Sequence, residues 1–301
     1  MRYRTLGGLR VSAIGLGAMP LSVEGRPDES RALATVHAAL DAGVTLLDTA
    51  DSYHLPGEDP GHNERLVARA LAAHGGPVDD VLVATKGGRG RPAGADWTVN
   101  GDPRHLKAAA EASLRRLGVE AIGLYQLHKP DPAVPFAESA GALRDLLDEG
   151  KIRLAGVSNT DAEQIGLARE ILGDRLVSVQ NRYSPAVRDS ERELRLCARL
   201  GLAFLPWSPL GGISRSSLDG PSRLEGASRF GAFHEIARAR GVSPQRVCLA
   251  WMLSRSPTVI PIPGASRPKT ARDSAGAAEL VLDADELKRL DSSAEGVPAN
   301  G

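Results

Sequence analysis

The chain has 301 residues, with 37 basic and 37 acidic side chains, 42% hydrophobic residues and two cysteines. Balanced charge argues against a nucleic-acid surface or a basic membrane face, and no stretch approaches the roughly 20 apolar residues of a membrane span. The apolar fraction is enough for a large core without a metal or disulfide staple.

The start, MRYRTLGGLRVSAIGLG, lacks the apolar core and cleavage site of a secretory leader. Cys197 and Cys248 lie far apart in helix-like apolar surroundings and read as reduced core thiols. The expectation is a cytoplasmic protein with no membrane, nucleic-acid or metal partner.

The opening segment RYRTLGGLRVSAI reads as a β-hairpin turning at Gly7 and Gly8, placed to plug the bottom of a barrel. Eight short runs then recur: IGLGAM (14–19), TLLDTA (45–50), VLVATK (81–86), GLYQLH (123–128), RLAGVS (153–158), LVSVQN (176–181), AFLPWS (203–208) and VIPIPG (259–264). They are nearly continuous in apolar or small residues, as expected of parallel strands buried on both faces.

Helical patterns separate the runs. Residues 30–43 put Leu33, Val36, His37 and Leu40 on one face and stop at Gly43. Residues 102–118 open with Asp and Pro and close with Arg, Arg, Leu, Gly; 161–173 repeat the pattern. Eight such units in one chain predict an α/β fold, a (β/α)8 TIM barrel over 1–301 with an N-terminal hairpin and extra helices near the C-terminus. GLGAM is not a dinucleotide-loop fingerprint, which argues against an open doubly wound sheet.

Three long loops follow Tyr53, Lys86 and the seventh run, at the C-terminal strand ends where barrel sites are built. Trp97, His54 and Tyr183 are expected to shape the pocket there. The third loop spans 213–226, and a tail of 295–301 reads as loose.

The same strand ends carry Asp48 and Tyr53, Lys86, His128, Ser158 and Asn159, Gln180, and Trp207 and Ser208. Each alone has a structural reading, as a turn cap, a solvated strand end or a satisfied core ring. Together they converge on one pocket. A free tyrosine has a pKa of about 10; an ammonium from Lys86 would lower it, and Asp48 would hold that lysine charged. His128 can donate to a carbonyl oxygen. Such a site protonates an oxygen while hydride reaches the carbon, and nicotinamide is the natural donor. A Schiff-base role for Lys86 is disfavoured, because a carboxylate partner raises its pKa.

These residues resemble the aldo-keto reductase superfamily along essentially the whole chain. DTADSY (48–53), VATK (83–86), LYQLHKPD (124–131), GVSN (156–159), QNRYS (180–184), PWSPLGG (206–212) and IPIPGASRP (260–268) occur in that family's order and spacing. The resemblance implies Tyr53 as general acid or base, with Asp48, Lys86 and His128 completing a tetrad. It implies a carboxamide site at Ser158, Asn159 and Gln180, with Trp207 stacking on the nicotinamide.

Ser208, Pro209, Leu210 and Gly211 would meet the pyrophosphate, and Ala18 and Met19 would join the cofactor wall. Gly264 to Ser274 would hold the adenosine phosphate, with Ser266 and Arg267 on the 2′-phosphate and Lys269 and Arg272 nearby. NADPH is therefore expected over NADH, with a small carbonyl compound as substrate. Many relatives carry a Glu-Asn pair for the adenine where this chain has Asp273 and Ser274. The alternative reading is an NADPH-holding regulatory subunit with slow chemistry. No pattern in the sequence sets an oligomeric state.

Overall fold

The structure is a computed structural model that describes residues 1–94, 96–214 and 230–294. The expected hairpin is present as β1 (Tyr3–Leu6) and β2 (Leu9–Ser12), with Leu6 opposite Leu9. Gly7 and Gly8 stand at φ +57° and +82°, the left-handed pair a two-residue turn requires. Next come β3 (Leu16–Gly17), α1 (Glu29–Asp41), β4 (Leu46–Asp48), α2 (His62–Ala73) and β5 (Leu82–Gly87). A second small hairpin, β6 (Arg89–Gly90) and β7 (Thr98–Val99), precedes α3 (Pro103–Leu117).

Strands and helices then alternate: β8 (Ile122–Leu127), α4 (Phe136–Asp148), β9 (Ile152–Ser158), α5 (Ala162–Leu172), β10 (Leu176–Gln180), α6 (Glu191–Leu200) and β11 (Ala203–Phe204). The described chain ends with α7 (Gly231–Arg240), α8 (Pro244–Arg255), α9 (Pro268–Ala275) and α10 (Ala284–Ala294). Among the described residues, ten helices exceed the eight of a barrel by two, as expected near the C-terminus.

β3, β4, β5, β8, β9, β10 and β11 pair in that order, all parallel. The eighth run closes the ring through isolated bridges, Val259 to Phe204 and Gly264 to Gly17. Toward β11, Ile260 N and Ile262 N donate to Phe204 O and Pro206 O at 2.9 and 3.3 Å. Toward β3, Pro261 O and Pro263 O accept from Gly15 N and Gly17 N at 2.9 and 3.0 Å. The two prolines have no N–H to return, so that ladder carries only its acceptor half. The (β/α)8 expectation is borne out, with the eighth strand made irregular by its own prolines.

Local signals explain the helix ends. Asp102 accepts from Arg104 N and His105 N at the start of α3, and Gly118 ends it at φ 70°. Asp161 and Gln164 form a reciprocal capping box on α5. On α1 the buried side is Ala32, Thr35, Val36 and Ala39, whereas Leu33, His37 and Leu40 are half-buried. The expected face is thus rotated toward small residues, which let the helix lie close to the sheet.

The barrel interior is layered. Leu6 and Val11 of the first hairpin join Leu46, Leu82, Ala84, Leu124, Val177, Leu205 and Ile260 in one apolar cluster at the lower end. Side chains alternate along a strand, so the inward row of β4 runs Leu46, Asp48. On β5 it runs Leu82, Ala84, Lys86; beyond β8 it runs Leu124, Gln126, His128; on β9 it runs Leu154, Gly156, Ser158. Each row changes from apolar to polar toward the C-terminal mouth. That gradient places the site. The loop expected at 213–226 and the tail at 295–301 lie mostly or wholly outside the described residues. No helix among the described residues is long and apolar enough to cross a membrane.

Candidate active site

At the mouth, Lys86 is fully buried and its ammonium has three acceptors. Asp48 Oδ2 is at 2.7 Å, Thr49 O at 2.8 Å and Tyr53 Oη at 3.1 Å. The other Asp48 oxygen accepts from Gln180 Nε2 at 2.8 Å. The chain turns after β4, and Tyr53 comes back over the barrel with its ring edge-on to His128, centroids 5.7 Å apart. Ser52 Oγ lies 3.4 Å from His128 Nδ1. With that hydroxyl donating, a neutral His128 carries its proton on Nε2. Asp48, Tyr53 and His128 line a cleft of about 910 Å³, and Lys86 sits behind them.

Burial dominates the electrostatics. It raises the Tyr53 hydroxyl, Lys86 opposes it and Asp48 adds to it, and the phenol stays above its ordinary pKa. This corrects the expectation that Lys86 pulls the tyrosine down: desolvation of the phenolate outweighs the ammonium. For Lys86, burial favours the neutral amine, but Asp48 and Tyr53 outweigh it and hold the lysine above its usual value. Burial, with Lys86 and Arg89 nearby, keeps His128 well below the usual histidine range. The resting site therefore holds a protonated phenol, an ammonium and a neutral imidazole.

A second network adjoins the first. Ser158 Oγ donates to Gln180 O at 2.7 Å, and Asn159 Nδ2 donates to His128 O at 2.9 Å. Trp207 Nε1 donates to Asn159 Oδ1 at 3.2 Å. Asn159 and Ser208 stand at φ 57° and 48°, the two non-glycine residues with positive φ among those described. Such backbone costs on the order of 1 kcal/mol or more and concentrates where ligands are gripped.

The cleft continues past Met19, Pro209 and Leu210 to Gly264, Ser266 and Arg267 at the start of α9, and to Asp273 further along that helix. Arg267 and Lys269 are exposed there, with no ion pair among the described residues. Ala18, Gly211 and Ser274 are buried beside the cleft and not on its wall. The Asp273 carboxylate is engaged by Arg246 at 3.0 Å and by the Ser243 hydroxyl.

Trp97 lines the cleft as expected. His54 does not; its Nδ1 bonds Leu55 O at 2.8 Å. Tyr183 is fully buried, stacks on Trp251 and donates to Glu191 at 2.7 Å. It belongs to the core, because the chain after β10 turns it outward onto the helices. Sequence reasoning passed over Arg89 and Arg182, which also line the cleft. Arg89 follows Lys86 by three residues, a position that flags it in retrospect.

The Aldo/keto reductase family model matches residues 13–295. The chain is similar to 6-dehydroglucose reductase of Novosphingobium aromaticivorans, 36% identical over 285 residues, covering 93% of this chain and 90% of the relative. Its structure is similar to that of glycerol dehydrogenase from Gluconobacter oxydans, with a TM-score of 0.82, 29% identity and coverage of 99% and 97%. It is also similar to an aldo/keto reductase from Klebsiella pneumoniae in complex with NADP and acetate, with a TM-score of 0.77, 28% identity and coverage of 96% and 94%.

Proposed function

The chain belongs to the aldo/keto reductase family, and from that premise we propose that it reduces an aldehyde or ketone to an alcohol with NADPH, in preference to NADH. It is an oxidoreductase; the tetrad roles and the cofactor preference are our reading of its geometry. The observation that carries the reading is the buried chain from Tyr53 through Lys86 and Asp48 to Gln180, which meets the cleft at Tyr53, Asp48 and Gln180 and keeps Lys86 behind the wall.

The residues fit a nicotinamide dinucleotide. Ser158, Asn159 and Gln180 offer amide and hydroxyl partners for a carboxamide, and Trp207 offers a flat face. The start of α9 supplies backbone N–H groups and a positive dipole end, and Arg267 and Lys269 add charge suited to a 2′-phosphate. Asp273 is already engaged by Arg246, which favours a weak hold on adenine. When bound, the nicotinamide supplies hydride to the carbonyl carbon.

The chain's own part is the proton. Tyr53, protonated at rest, donates to the substrate oxygen as charge develops there. Lys86, fixed between Asp48 and Thr49 O, stabilises the resulting phenolate. His128, neutral with Nε2–H, donates to the same oxygen and orients it. The two buried cysteines, both unbridged, fit a reducing compartment such as the cytoplasm. The name of the 36% identical relative makes sugar-derived aldehydes sensible members of a substrate panel.

The test is NADPH consumption with a panel of aldehydes, for wild type and Tyr53→Phe. The variant should lose about 10²- to 10⁴-fold in turnover while its NADPH affinity stays within about twofold. Unchanged turnover would remove Tyr53 from the chemistry. Tight NADPH binding without turnover of any carbonyl would favour an NADPH-holding regulatory protein.

A further inference from the structure

Given the reductase reading above, on which this rests, we propose that Arg89 recognises a carboxylate on the substrate, so that the protein takes aldehyde acids or oxo acids. Arg89 is half-buried on the cleft wall with Tyr53, His128 and Trp97. Its side chain makes no hydrogen bond or ion pair among the described residues, and its Nε is buried without a partner. The other charges nearby are matched. Lys86 pairs with Asp48, and Arg91 pairs with Glu24 and donates to His54 O at 2.6 Å. The wall carboxylates Asp48, Glu24 and Asp273 are all taken by other cations.

What holds Arg89 is stacking. Its guanidinium lies 4.6 Å over the Trp97 ring, and Arg91 lies 4.6 Å over the same ring. The backbone is fixed as well, because Arg89 pairs with Val99 and Gly90 with Thr98 across β6 and β7. Stacking uses the face of a guanidinium and leaves its in-plane N–H donors available. A partly buried donor set without an acceptor is costly, and a planar carboxylate matches it in the bidentate mode. The cation is also close enough to lower the proton affinities of Tyr53 and His128. A ligand with its carbonyl oxygen at those two groups can therefore present a carboxylate to Arg89.

The experiment compares kcat/KM for 4-formylbenzoate with that for its neutral methyl ester, in wild type, Arg89→Met and Arg89→Lys. Wild type should prefer the acid by about tenfold or more. Arg89→Met should lose that preference through KM, cutting kcat/KM for the acid at least about fivefold more than for the ester, with Arg89→Lys between. Equal losses on acid and ester, or a wild type that favours the ester, would overturn the proposal. Glyceraldehyde 3-phosphate against glyceraldehyde is the second arm; an Arg89-dependent preference confined to the phosphate would also overturn the carboxylate assignment. Calorimetry of 4-hydroxymethylbenzoate on the NADPH-loaded protein decides the matter without turnover. Binding at least about tenfold weaker in Arg89→Met supports the Arg89 role even if no carbonyl is reduced, an outcome that would sink only the reductase reading. Binding unaffected by the substitution overturns the proposal.

Discussion

Lys86 and Asp48 are an ion pair at the bottom of a pocket, almost wholly removed from water. Desolvating two charges costs several kcal/mol per ion, and the pair survives because each partner's remaining hydrogen-bonding capacity is used. The ammonium has three acceptors and the carboxylate takes Gln180 on its free oxygen. The result is a charged lysine, unsuited to forming a Schiff base, beside a phenol that keeps its proton. At the far end of the cleft the logic is the reverse. Arg267 is exposed on the cleft, where the proposed 2′-phosphate gives it a ligand's charge to meet. Arg267→Ala should raise the Kd for NADPH by about tenfold, the loss of a charge-assisted contact worth on the order of 1.5 kcal/mol, and leave that for NADH within about twofold. Fluorescence titration with both cofactors measures this, and equal losses would remove Arg267 from the 2′-phosphate site.

Among the elements, the β1–β2 hairpin shows how a turn and a core share one residue. Gly7 and Gly8 both have left-handed φ, but only Gly7 faces the barrel. A Cβ there would meet Val177 Cγ1 at 2.7 Å, whereas at Gly8 nothing lies within 4 Å. Gly8→Ala should therefore cost about 1 kcal/mol of backbone strain alone. Gly7→Ala should cost roughly 2–3 kcal/mol, because overpacking of the core is added. Thermal or denaturant unfolding of both variants reads the difference, and equal losses would show that Val177 yields without cost. The β6–β7 hairpin shows the complementary case. It consists of two residues a side, too short for a periodic signal, yet it fixes Arg89 and Trp97 at the cleft.

For the molecule as a whole, the pH dependence of stability has a source behind the site. Asp51 and Glu64 are buried near each other, with Arg116 bonded to Glu64. Burial, with Glu64 adding to it, pushes Asp51 up to about 8, and its Oδ1 has no partner. Its folded pKa lies above the unfolded value of about 3.9, so the folded state holds the extra proton. That contribution is fully present below pH 4 and is lost as pH rises through about 8. His128 acts in the opposite sense: its folded pKa is lowered, so stability is lost as pH falls below about 6.5. Asp51→Asn keeps the neutral shape and removes the first effect. The variant should gain on wild type by at least ~1 kcal/mol between pH 5 and pH 9, about 2 °C or more in Tm. A difference that stays flat with pH would mean that Asp51 ionises without penalty in the fold.

Much of this was legible in order and spacing. The apolar runs, the capping Asp102 and Asp161 and the paired glycines of the first hairpin are local signals, read within a few residues. Asp48, Tyr53, Lys86 and His128 were found because strand ends in a parallel barrel share one mouth, so position along the chain fixes position in space. Other features depended on neighbours far away in sequence. Tyr183 was expected in the pocket and lies in the core, because packing on Trp251 decides where its ring goes. The Tyr53 hydroxyl was expected below its ordinary pKa and stands above it, because desolvation is a property of the closed pocket and not of the Lys86 spacing. Arg89 became informative only when Glu24 was seen paired to Arg91 and Trp97 was seen beneath the guanidinium. Sequence determined the elements and the chemistry available to them, since those are short-range; burial, and with it which charges are matched, was decided by the tertiary structure, since desolvation sums over every surrounding group.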